Sequence, residues 1–121
     1  MTNFIIIPCY NEGENINIIL KEINECNIDN LVVVIVDDSE VNFEKKINGQ
    51  KFKTIYLNRN RKSGRGSAIL FGMMHILNLG VSIGLIIEMD ADMSHNPNEL
   101  LNNIKYFKKN NLDLLISSRY L

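Results

Sequence analysis

A chain of 121 residues, 45% hydrophobic and 22% charged, suits one globular domain with an adequate core. Its net charge of −1 gives no global pull toward nucleic acid or anionic lipid, so any anion binding must come from local arrangement. Cys9 and Cys26 form neither a disulfide framework nor a metal-ligand spacing, and no segment reaches the ~20 apolar residues that span a bilayer.

The first element is Phe4-Ile5-Ile6-Ile7, a continuous apolar run that predicts a buried strand closed by Pro8. It follows Met1-Thr2-Asn3 directly, with no basic stretch ahead of it, so a signal peptide is not expected. Asn11 offers a helix cap, with Glu14 three residues later in capping-box spacing. Ile16, Ile19, Leu20 and Ile23 then recur at i, i+3, i+4 and i+7, which predicts an amphipathic helix ending between residues 26 and 29. Leu31 to Val36 reads as a second buried strand, ended by Asp37-Asp38-Ser39. Residues 40–50 are polar and leave room for a short helix. Thr54 to Leu57 is a third, shorter strand.

Asn58 to Gly66 is a basic loop containing glycine. Ala68 to Leu79 predicts a helix of mainly apolar residues stopped by Gly80. Gly84 to Met89 is the fourth strand. Asn96-Pro97 opens another helix, with Leu100, Leu101, Ile104 and Phe107 on its buried face. Asp113 to Ser117 is a fifth strand, followed by Ser118-Arg119-Tyr120-Leu121. Strands alternate with helices and are apolar throughout, which predicts an α/β fold with a mainly parallel sheet covered on both faces. Such sheets bind ligands beyond the carboxyl ends of their strands. Those ends carry Pro8 to Glu12, Asp37-Asp38, Asp90-Ala91-Asp92 and Ser118-Arg119.

Asp90 and Asp92 leave a buried strand one residue apart. Such a pair can hold a divalent cation by oxygen ligands, with water and substrate phosphate completing the shell. The plainer reading is turn acids capping the next helix. Asp37 and Asp38 are turn acids or acceptors for base and ribose hydrogens. Tyr10 could lie against a base or ribose and Glu12 could accept a hydroxyl; an ordinary helix start is the alternative. Arg59, Arg61, Lys62 and Arg65 surround Ser63-Gly64 and Gly66, either as a solvated basic loop or as a diphosphate clamp before a helix N-terminus. The loop lacks both the dinucleotide spacing and the P-loop ending. Arg119 fits a phosphate partner or a structural salt bridge. His75 reads as a helix-surface or packing residue. His95 lies beside the acidic pair. Met73, Met74, Met89 and Met93 read as packing residues.

Taken together, four segments resemble a family 2 glycosyltransferase of the GT-A fold, closest to dolichol-phosphate mannose synthases and related polyprenyl-phosphate sugar transferases. They are Ile7-Pro8-Cys9-Tyr10-Asn11-Glu12, Ile35-Val36-Asp37-Asp38-Ser39, Lys62-Ser63-Gly64-Arg65-Gly66-Ser67-Ala68 and Met89-Asp90-Ala91-Asp92-Met93-Ser94-His95-Asn96-Pro97, with Ser117-Ser118-Arg119-Tyr120 as a fifth. The resemblance implies a Rossmann-like, nucleotide-sugar-binding half. It places Pro8, Tyr10, Glu12, Val36, Asp37 and Asp38 at the nucleotide. It places Lys62, Asp90, Ala91, Asp92 and Arg119 near the diphosphate, with Asp92 and Arg119 closest to the chemistry. It makes Asp90, Asp92 and Ser94 ligands of Mg²⁺ or Mn²⁺, within a DxD motif.

The implied partners are a nucleotide-sugar donor, GDP-mannose first, and a polyprenyl-phosphate acceptor at a membrane surface. The expected location is the cytoplasm, with peripheral attachment to the cytoplasmic membrane face. Ser39-Glu40-Val41-Asn42 stands where the family usually has a Ser-x-Asp-Gly-Thr-like turn. The match covers residues 1–121 as one domain but only the donor-binding half of the family pattern. The acceptor half is therefore expected beyond Leu121 or on a second polypeptide, and exposed apolar surface is expected where it would pack. A phosphoacceptor receiver domain would instead need its acidic pair after the first strand and a lysine after the fifth.

Overall fold

The computed structural model describes residues 1–11, 13–47, 50–61 and 63–91. Four strands form one parallel sheet: β1 (Thr2–Cys9), β2 (Leu31–Asp37), β3 (Lys53–Asn58) and β4 (Ile83–Glu88), in the order β3-β2-β1-β4. Helix α1 (Gly13–Glu25) joins β1 to β2, and α2 (Arg65–Leu77) joins β3 to β4. A single 3₁₀ turn, Glu44–Lys46, lies between β2 and β3.

Both central strands are buried on two faces, so successive side chains feed two cores. Ile5, Ile7, Val33 and Ile35 meet Ile16, Ile19, Leu20 and Ile23 of α1. Phe4, Ile6, Val34 and Val36 meet Ala68 and Ile76 of α2. Each fully buried Ile or Leu contributes about 1.5–3 kcal/mol relative to exposure. That outweighs the weak helix propensity of an α1 sequence with four asparagine or glycine residues, Gly13, Asn15, Asn17 and Asn24. Helix α2 rides close to the sheet at Gly72, where an added Cβ would lie 2.9 Å from Ile6 Cγ2.

The strand order is that of a doubly wound sheet. A receiver domain would place its third strand on the far side of β1 from β2; here β3 adjoins β2. The connections run one way through α1 and the other through α2, so the order reverses between β1 and β4. Ligand crevices in such sheets open at that reversal.

Several expectations shift. Pro8 does not close β1; the strand runs to Cys9, with Pro8 opposite Val36. Ile6 turns its carbonyl to β4, accepting from the Met89 N–H at 3.0 Å, and the alternation aims Pro8 the same way, beyond Glu88 where β4 has ended. The missing N–H therefore costs no ladder bond. Asn11 is not the residue next to α1. It adopts a left-handed φ of 56° and gives its backbone N–H to Ser39 Oγ at 2.6 Å, which fixes the turn after β1. Helix α2 begins at Arg65 rather than Ala68, since Gly64, at φ 91°, ends the loop before it. Met73 and Met74 are exposed rather than packed, while Met89 is buried. They join Leu70 and Leu77 in an exposed apolar stripe along α2. The helix expected from Pro97 and the strand from Asp113 lie outside the described residues.

Candidate functional site

The carboxyl ends of β1, β2 and β3 are tied into one turn cluster. Cys9 C=O accepts from the Asp38 N–H at 3.0 Å, and Asp37 C=O from the Arg59 N–H at 2.9 Å. Asp37 is fully buried, with both carboxylate oxygens engaged. Oδ1 accepts from Ser39 N–H at 3.0 Å and from Ser39 Oγ at 2.6 Å. Oδ2 accepts from the Tyr56 hydroxyl and from Asn58 Nδ2 at 3.3 Å. Burial, followed by the Asp37 hydrogen bond, pushes the Tyr56 phenol well above its ordinary pKa, so it remains a donor. The Ser39 hydroxyl, donating to Asp37 and accepting from Asn11, carries this network across to the β1 turn.

Asp38 turns to the other side. Arg59 grips it with two parallel bonds, Nε to Oδ1 at 2.6 Å and Nη2 to Oδ2 at 2.8 Å, and the Ser63 N–H adds a third at 3.1 Å. Burial opposes ionisation of Asp38. The bonds from Arg59 and Ser63, with the charges of Arg59 and Arg61, outweigh it and hold the carboxyl below the usual range. Arg59 also donates to Ser67 Oγ at 2.8 Å and lies 5.4 Å from the centre of the Phe71 ring. It is therefore a strut between β2, β3 and α2, not a free phosphate ligand.

Across the reversal point, Asp90 follows β4. Arg65, the first residue of α2, donates from Nε to Asp90 Oδ1 at 2.7 Å and from Nη2 to Glu88 Oε1 at 3.2 Å. The Asp90 hydrogen bond raises the guanidinium pKa further, which fixes its charge. Ala91 is buried in the α1-side core beside Met89.

Of the residues expected at the nucleotide, Tyr10 is exposed just beyond the carboxyl end of β1. Pro8 is buried within β1, and Val36 presents no side-chain surface because it packs under α2. Asp37 and Asp38 share the turn, but Asp37 is consumed by its own network. Glu12, Lys62, Asp92, Ser94 and Arg119 lie outside the described residues. Among the described residues no group of three or more His, Cys, Asp or Glu gathers as a metal centre. The donors at the β4 end nevertheless suit a hard cation. They are carboxylate oxygens, and Glu88 and Asp90 already draw one cationic group between them.

Residue-by-residue reading missed three participants: Tyr56, Arg59 as the partner of Asp38, and Arg65 as the partner of Asp90. The strand register, seen only in the structure, accounts for Arg59. Asp37 pairs with Asn58, so Arg59 is the next residue beyond the same sheet edge as Asp38.

The sequence model of the family described as Glycosyl transferase family 2 matches residues 4–121. The chain belongs to glycosyl transferase family 2. It is 30% identical over 121 residues to a protein named dolichol-phosphate mannosyltransferase from Pyrococcus furiosus, covering 97% of this chain and 33% of the relative. It is 31% identical over 122 residues to a polyprenol monophosphomannose synthase from Mycolicibacterium smegmatis, covering 97% and 44%. An uncharacterized protein of Methanocaldococcus jannaschii is 33% identical over 118 residues, covering 94% and 50%. The chain thus spans a third to a half of the length of these relatives. Its parallel α/β sheet agrees with a Rossmann-like GT-A half. No helix among the described residues is long and apolar enough to cross a membrane.

Proposed function

We propose that this chain is the donor-binding half of an inverting, metal-dependent glycosyltransferase that moves a hexose from a nucleoside diphosphate sugar to a polyprenyl phosphate. The observation that carries the reading is the reversal of strand order between β1 and β4, flanked by Tyr10 on one side and Asp90 on the other. The names of two relatives support mannose as the sugar and a polyprenol as the carrier, and GDP-mannose is the donor to test first.

In this reading Tyr10 and Glu12 hold the nucleoside, with Pro8, Val36 and the Asp37–Asp38 turn shaping the wall behind it. Lys62 and Arg119 face the diphosphate, and the backbone at Ala91 approaches it. Asp90, Asp92 and Ser94 would hold Mg²⁺ or Mn²⁺, which neutralises charge on a departing nucleoside diphosphate. The acceptor phosphate is already anionic, so its oxygen needs orientation more than a strong base. It forms the new bond to the sugar's anomeric carbon as the bond to the diphosphate breaks. A lipid-linked acceptor would bring the enzyme to the cytoplasmic face of a membrane. The acceptor half would come from further residues or from a second polypeptide. A second reading is a donor-binding module that turns over only with that partner.

Calorimetric titration with GDP and Mn²⁺ tests the site. Asp92→Ala is expected to abolish the metal-dependent part of nucleotide binding. Unchanged binding in that variant contradicts the reading.

A further inference from the structure

Arg65 sits where folding gives little reason for a cation. It opens α2, and a positive charge at a helix N-terminus is disfavoured by the helix dipole. The first turn holds no acidic residue to offset it. Its two ion pairs join side chains that are 48% exposed for Arg65, 22% for Asp90 and 37% for Glu88. Pairs so open to water add little stability. Yet the guanidinium lies 2.7 Å from Oδ1 of Asp90, the carboxylate proposed above as a cation ligand.

We propose that Arg65 is a positioning residue that occupies Asp90 until donor and cation arrive together, yields the carboxylate to the cation, and then pairs with the donor diphosphate. The inference rests on the reading of Asp90 as a cation ligand. A guanidinium and a divalent cation held on the same carboxylate repel each other as like charges at short range, so each weakens the other's hold on Asp90. A cation that arrives alone and takes Asp90 displaces Arg65 Nε and leaves the guanidinium only its 3.2 Å pair with the exposed Glu88. A cation arriving with a diphosphate brings the replacement, since the planar fork of arginine fits phosphate oxygens as it fits a carboxylate. The site then favours a nucleoside diphosphate and divalent cation as a pair over either alone. By linkage the preference is reciprocal: donor tightens the cation and the cation tightens donor by the same factor.

The test is Mn²⁺ binding to the purified chain, followed by the electron paramagnetic resonance of the free ion, with and without GDP. The wild type, Arg65→Gln, Arg65→Lys and Asp90→Asn are compared, each checked for folding by circular dichroism. Arg65→Gln is expected to tighten Mn²⁺ binding in the absence of GDP and to shrink the GDP-dependent enhancement by about fivefold or more. Arg65→Lys keeps the charge and is expected to stay near wild type without GDP. If the wild type binds Mn²⁺ and Arg65→Gln matches it in both conditions, the inference is overturned while the cation site stands. If Arg65→Lys behaves as Arg65→Gln, competition by charge is overturned. If no folded sample binds Mn²⁺ even with GDP, the cation site itself is overturned, and the inference with it.

Discussion

Adjacent aspartates in this chain have different work. Asp37 and Asp38 are neighbours in sequence, but β2 turns one toward α1 and the other toward α2. Asp37 organises the turn through Ser39, Tyr56 and Asn58. Asp38 is charge-paired to Arg59, and its depressed pKa ties the turn to pH. A carboxyl held below its unfolded value, about 3.9, contributes stability that is present above that value. The contribution is lost as pH falls through the lower, folded value. Urea unfolding of the wild type is therefore expected to show stability dropping as pH goes below about 4. Asp38→Asn is expected to flatten that part of the profile, and an unchanged acid arm would contradict the assignment. None of this division was legible in the sequence, where Asp37-Asp38 is simply an acidic dipeptide. Only the strand register, which decides what each faces, separates them.

The elements were largely legible because their cores are made of long apolar runs. The α1 stripe Ile16, Ile19, Leu20 and Ile23 is buried as its spacing requires. The α2 stripe reads differently. Leu70, Met73, Met74 and Leu77 share a face by spacing, yet that face is exposed, and the sheet is met instead by Ala68, Gly72 and Ile76. Hydrophobicity alone points to the wrong side, because small residues are what let α2 approach the sheet. Gly72→Ala is expected to destabilise the fold by about 1–3 kcal/mol through overpacking against Ile6 and Val36. The branched Ile6 Cγ2 cannot swing away as a flexible chain end would. Gly66→Ala, with nothing within 4 Å of its added Cβ, is expected to be neutral or to stabilise by up to about 1 kcal/mol. Thermal unfolding of both variants checks the contrast, and equal effects would contradict the close approach at Gly72.

At the scale of the whole molecule, the sheet order collects the polar chemistry. The α/β alternation and parallel sheet were legible from apolar strands between helices. The order β3-β2-β1-β4 was not, since connection direction leaves no local trace in the sequence. That order sets the carboxyl ends of β1 and β4 side by side, where ligand crevices open in such sheets, and the Asn11–Ser39 bond ties the turn after β1 to the turn cluster. The stripe of Leu70, Met73, Met74 and Leu77 along α2 is exposed. The central claim is that the crevice binds a nucleotide sugar together with a divalent cation. Its most direct test is a thermal-unfolding scan with GDP-mannose, with UDP-glucose and with neither, each with and without Mn²⁺. Ligand at one hundred times its dissociation constant adds about 2.7 kcal/mol of apparent stability. A raised midpoint with GDP-mannose that requires Mn²⁺ is the predicted result, and a cooperative transition that no nucleotide sugar shifts would contradict the account.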